Sequence, residues 1–198
     1  MLGMNRRIAI LLGLILLAVV AYGASPYVAV ARFANDLRRQ DAASAIARID
    51  LPAVRASIAR QVARQVLAKN PQLAAKSPLG PQAASMIAAG AVNAYLAETF
   101  TPQALAEMLG TGRLPASVAG AASGRFPALP DVTDAASLLR RAGFTGIRSF
   151  AVDVPGSDGD TALLFGIRGV TWTLIAIALP APLLDRLTSE ISSKLSTS

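Results

Sequence analysis

The run "IAILLGLILLAVVAYGA", Ile8 to Ala24, carries no charge and comes directly after Arg6 and Arg7. At about 17 residues it sits at the short end of what crosses a bilayer. A membrane must take it up, a core must bury it, or a peptidase must remove it. Arginines ahead of the run favour a cytoplasmic N-terminus and an exported remainder, although Arg32, Arg38 and Arg39 beyond it weaken the asymmetry. Tyr22 and Tyr27 would then be aromatic anchors at the outer interface. Residues 1–24 thus read as a signal anchor or as a signal peptide. Cleavage before Ala24 is allowed by the small residues Ala21 and Gly23. A buried core helix of a cytosolic domain is the third reading. The anchor is favoured because the helical pattern continues past Ala24 with no polar linker.

Residues 25–198 open with a series of helix signals. Ser25-Pro26 has the form of a helix start, a Ser cap before Pro at the first helical position. Tyr27, Val30, Ala34 and Leu37 then form one apolar stripe. Asp41 caps a short helix, and Asp50-Leu51-Pro52 opens another with Val54, Ile58, Val62 and Val66 along one face. Arg55, Arg60 and Arg64 occupy its other surface. Further helices are expected from Gln82 to Phe100, after the Thr101-Pro102 cap with Gly110 as a stop, and around Asp134 to Arg141, ending at Gly143. Residues 110–132, rich in Gly, Pro and Ser, read as a flexible loop.

The period changes near the C-terminus. "SFAVDV" alternates, with Phe150, Val152 and Val154 on one side. "TALLFGIR" puts Leu163, Phe165 and Ile167 on one face, and Arg168-Gly169 turns the chain into "VTWTLIAIAL", rich in β-branched residues. Pro180 closes that strand and opens an amphipathic helix with Leu184, Leu187, Ile191 and Leu195. The fold class expected is α+β. An N-terminal membrane helix precedes several helices packed on a small antiparallel sheet, a three- or four-stranded meander, with a closing amphipathic helix.

Chemistry is narrowly bounded. The 198 residues include no cysteine and no histidine. That removes disulfides, thiolate nucleophiles, Cys/His zinc sites, lipoprotein acylation and every Ser-His-Asp triad. Glu98, Glu107 and Glu190 are the only glutamates. No Gly-rich phosphate loop is present, and Asp158 and Asp160 fit a hairpin turn better than a calcium loop. The net charge is +7, but aromatic residues make up 5% and do not interleave with the basic ones. Stacking on single-stranded nucleic acid is therefore not indicated. No catalytic residue, metal or cofactor is assigned.

Two stretches carry a family resemblance: "YGASPYVAVARFANDLRRQDAASAIARIDLPAVRASI" and "SFAVDVPGSDGDTALLFGIRGVTWTLIAIALP". Together the chain resembles the bacterial domain-of-unknown-function family twenty-nine thirty-nine. The matching positions are Ser25, Pro26, Tyr27, Asp41, Asp50, Pro52, Arg55, Trp172 and Pro180. The resemblance implies an exported bacterial protein and supplies no activity. The first helices are also similar to those of NTF2-like cone folds, which pack helices against a curved sheet around an apolar pocket.

The expectation is a single-pass protein of the bacterial inner membrane, held by residues 8–24, with its domain in the periplasm. Release into the periplasm after signal cleavage is the alternative. The expected role is non-catalytic binding of an envelope protein or a small apolar or anionic ligand between sheet and helices. Arg55 would orient an acid group, with Asp50 nearby and Trp172 and Phe165 in the wall. Two other readings remain open. One is an enzyme using Asp and Arg in an NTF2-like pocket, with Asp50 or Asp153 at its centre. The other is a binder of anionic lipid through the basic helix 52–69, with its valines exposed.

Overall fold

The computed structural model describes residues 2–69, 71–72, 80–111, 140–156 and 159–195. Most of the expected 110–132 loop, nearly all of the helix expected around Asp134 to Arg141, and Asp158 lie outside them.

Helix α1 (Leu2–Arg38) is unbroken. Ser25-Pro26 is therefore no helix start; Pro26 sits inside the helix and is buried. Proline lacks the N–H that would bond the carbonyl of Tyr22 one turn earlier. The Ser25 hydroxyl takes over, donating to that carbonyl at 2.7 Å, so the helix continues with its orphaned acceptor satisfied. From Ile8 to Val20 the large apolar side chains of α1 are 51–65% exposed. The N-terminal run is thus not a core helix of this fold.

Helix α1 ends in a Schellman closure. The N–H of Gln40 bonds Leu37 O at 3.1 Å and that of Asp41 bonds Asp36 O at 3.0 Å. Gln40 adopts the left-handed conformation, φ 57°. Helix α2 (Ala42–Ala47) is capped by Asp41, whose carboxylate accepts from the Ser44 N–H at 3.1 Å. Helix α3 (Leu51–Lys69) is capped by Asp50, which accepts from the Ala53 N–H at 3.1 Å. Helix α4 (Gly80–Thr99) and helix α5 (Pro102–Thr111) come next, the latter capped by Thr101. Gly110 does not stop α5, which runs on to Thr111.

The sheet is a meander of β1 (Ala142–Gly146), β2 (Ser149–Val154), β3 (Thr161–Arg168) and β4 (Thr171–Ala178), antiparallel and in sequence order. Strand β1, "AGFTG", has no alternating pattern; its pairing, Ala142 opposite Val152, makes it a strand. Gly143 lies within it rather than ending a helix. Helix α6 (Ala181–Leu195) closes the fold.

The inner face of the sheet carries Phe150, Val152, Val154, Leu163, Phe165, Trp172, Leu174 and Ile177, all buried. In β4 the alternation breaks after Leu174, because a bulge leaves Ile175 between the pairs Phe165–Leu174 and Leu164–Ala176. Ile175 occupies the space over Gly166, where an added Cβ would lie 2.6 Å from Ile175 Cδ1.

Against the inner face pack Val30, Phe33 and Leu37 of α1 and Val54, Ile58 and Val62 of α3. Each large side chain so buried contributes about 1.5–3 kcal/mol. Phe33 meets Phe165 edge-on at 5.8 Å. The apolar face of α3 is thus spent on the core, which corrects the expectation that helix 52–69 could lay its valines into a lipid surface.

The outer edge of β4 is closed in two places. Residues Arg48 to Asp50 pair in parallel with Leu174: its N–H bonds Arg48 O at 2.9 Å, and the Asp50 N–H bonds its carbonyl at 2.9 Å. Further along, the Gln61 carboxamide donates to Ile177 O at 2.7 Å and accepts from the Leu179 N–H at 3.0 Å. One side chain thus stands in for a neighbouring strand's peptide group.

Candidate functional site

Among the described residues, the four expected to bind ligand line no common groove. Arg55 donates to the carbonyl of Ala97 on α4 at 3.3 Å. Asp50 holds Arg168 at 2.9 Å as well as capping α3; their side chains are 25% and 54% exposed. The Arg168 hydrogen bond chiefly keeps the Asp50 carboxyl below its ordinary range; burial opposes it, and the Ala53 N–H lends further support. Phe165 is enclosed in the core. Trp172 donates its indole N–H to Ser25 Oγ at 2.8 Å. Asp153, the other candidate for an enzyme's carboxylate, is exposed on β2.

The expected anchor flank divides. Arg6 and Arg7 lie in the first turns of α1. Tyr22 stacks on Phe144 with ring centroids 6.0 Å apart, and its hydroxyl donates to the carbonyl of Ile147 in the β1–β2 turn. Tyr27 instead packs edge-on against Phe150 at 4.8 Å, on the protein side of the helix.

Open grooves occur elsewhere. One of about 480 Å³ runs between the end of α1, α2 and α5. Leu37, Ala42, Ala106 and Gly110 contribute apolar wall, Asp36, Asp41, Glu107, Gln40 and Gln103 contribute acidic and amide groups, and Arg38 adds a guanidinium. Asp36 is tied to Arg48 at 2.8 Å. The Ser44 N–H, chiefly, lowers the Asp41 pKa from its ordinary value. This groove therefore joins a short apolar floor to groups of both charges, with acceptors in excess, a setting for an apolar group carrying hydrogen-bond donors. Grooves of about 300 Å³ and 230 Å³ flank Trp172. Arg55, Asp50 and Phe165 line none of the three. Among the described residues no cluster of three or more metal-ligating side chains occurs.

Sequence reasoning missed the Ser25–Trp172 bond, the Gln61 bridge and the groove. The first had a signal, Ser beside Pro within an otherwise unbroken helical pattern, which reads equally as a cap. The others depend on residues brought together only by folding.

Residues 15–108 match the family model described as Protein of unknown function (DUF2939), the family that the two ends of the chain resemble. The matched stretch runs from Ile15 in α1 to Met108 in α5 and stops short of the sheet. No curated protein and no solved structure matches the chain. Neither comparison supports the likeness to NTF2-like cones.

Proposed function

We propose that this protein is a non-catalytic binding domain anchored in the bacterial inner membrane and facing the periplasm. In this reading α1 both spans the membrane and builds the core. The observation that carries it is the single unbroken helix, apolar and exposed over its first half and packed into the core through one face, Pro26, Val30, Phe33 and Leu37, over its second. A helix of this kind is long and apolar enough to cross a membrane. It joins anchor to domain without a linker. At about 1.5 Å per residue it sets the groove at Leu37 roughly 20 Å beyond Ala24. The partner is an envelope protein or a small ligand that seats an apolar group on Leu37 and Ala106 and offers donors to Asp41 and Glu107.

Anchoring is tested by expressing the full chain in a bacterium with a C-terminal alkaline phosphatase. The expected result is an active fusion that stays in carbonate-washed membranes with its N-terminus intact. A soluble chain beginning at Ala24 would refute it. Binding is tested by native mass spectrometry of the detergent-extracted full chain and of Gln103→Trp, which narrows the groove. A molecule held by the wild type and expelled by the variant assigns the groove; one held equally by both places binding elsewhere.

A further inference from the structure

The strongest unexplained feature is a set of apolar side chains at one end of the sheet. Ile147, in the β1–β2 turn, is 84% exposed, and Val170, in the β3–β4 turn, is 98% exposed. Two-residue hairpin turns in soluble domains are normally polar, because nothing at a solvated tip buries an apolar group. Here both tips point apolar side chains outward, with Phe144 and Tyr22 partly exposed beside them.

Their position relative to α1 is fixed. The Tyr22 hydroxyl bonds Ile147 O, and Val170 lines a groove with Ala21, Ala24 and Val28. Both tips therefore stand level with residues 21–28 of the helix. No charged residue occurs between Arg7 and Arg32. A hydrocarbon core of about 30 Å takes about 20 helical residues. Counted from Ile8, with Arg6 and Arg7 left in the cytoplasmic headgroups, it reaches Tyr27. Tyr22 then lies about 7 Å below that boundary. The helix is continuous through this zone, so the sheet cannot stand away from the membrane on a linker.

From this we propose that the β1–β2 and β3–β4 turns rest in the outer-leaflet interface of the membrane that α1 crosses, with Ile147 and Val170 inserted among the lipids. The inference rests on the anchoring reading above. Arg148, beside Ile147, and Arg168, which pairs with Asp50, carry side chains long enough to reach up from the tips to the phosphates. The lipid surface thereby fixes the orientation of the domain, and the groove at Leu37 faces away from it.

Because the chain has no cysteine, single cysteines can report depth. Nitroxide labels are placed at I147C and V170C, at L12C inside the span, and at Q103C on the distal groove. The full chain is put into nanodiscs of phosphatidylethanolamine and phosphatidylglycerol, and collision with oxygen is compared with collision with a water-soluble nickel chelate. The expected result is that labels at 147 and 170 are shielded from nickel several-fold relative to 103, approaching the label at 12. If the label at 12 is in lipid while those at 147 and 170 meet nickel as freely as that at 103, the inference falls and anchoring stands. Should the label at 12 itself meet nickel freely, both fall together.

Discussion

Trp172 donates its indole N–H to the hydroxyl of Ser25, 147 positions away in the chain, at 2.8 Å. The same hydroxyl donates onward to the Tyr22 carbonyl, which Pro26 leaves without its helical partner. Three problems share this solution: a proline inside a helix, a largely buried indole N–H, and the attachment of the β3–β4 hairpin to α1. Tyr22 adds a second tie through its hydroxyl to Ile147 O.

Ser25→Ala should therefore destabilise the domain by about 1–2 kcal/mol, since it strips partners from both the Tyr22 carbonyl and the Trp172 N–H. Pro26→Ala restores a backbone N–H to the helix, so the double variant should lose less than Ser25→Ala alone. Chemical unfolding of the full chain in detergent, monitored by the emission of the single tryptophan, measures both. Equal losses in the single and double variants would refute the account.

Gln61 makes a comparable prediction at the other end of β4. Gln61→Met keeps the length of the side chain and removes its amide, leaving Ile177 O and the Leu179 N–H without that partner. The cost should be about 1–3 kcal/mol, and the Leu179 amide should exchange hydrogen faster than in the wild type. Unchanged exchange there would mean that the edge of β4 is protected by something else.

Acid should weaken the α3 cap. The Asp50 carboxyl is more acidic folded than unfolded, where its pKa is about 3.9, because Arg168 and the Ala53 N–H favour its charged form. Its contribution is complete above that unfolded value and is lost as the pH falls through the lower folded one. Asp50→Asn should thus be less stable than the wild type at neutral pH, with the gap closing below about pH 4. A gap independent of pH would show that the charge contributes nothing.

Gln40→Gly should stabilise the protein by about 0.5–1 kcal/mol, because a left-handed residue closing a helix costs glutamine more than glycine. The offsetting term is the greater freedom of glycine in the unfolded chain. Thermal unfolding of the two forms settles the sign.

Features that depend on near neighbours along the chain are legible in the residues alone. Asp41, Asp50 and Thr101 cap helices because each sits a few residues ahead of the amide it serves. The alternation of Phe150, Val152 and Val154 chose the inner face of β2, since strand side chains alternate whatever lies opposite. The charge-free run after Arg7 set apart the first half of α1. Tertiary structure decided what local pattern left ambiguous. Ser-Pro is a cap when a helix begins there and an internal repair when it does not; the choice needed Trp172 from the far end of the chain. "AGFTG" is a strand only because β2 offers it an edge. Arg55 and the inner face of the sheet read as neighbours in the sequence, whereas folding sets Phe33 against Phe165 in the core and Arg55 against the Ala97 carbonyl of α4. The exposed tips at Ile147 and Val170 gain meaning from one relation alone: folding holds them level with the end of a membrane-length helix.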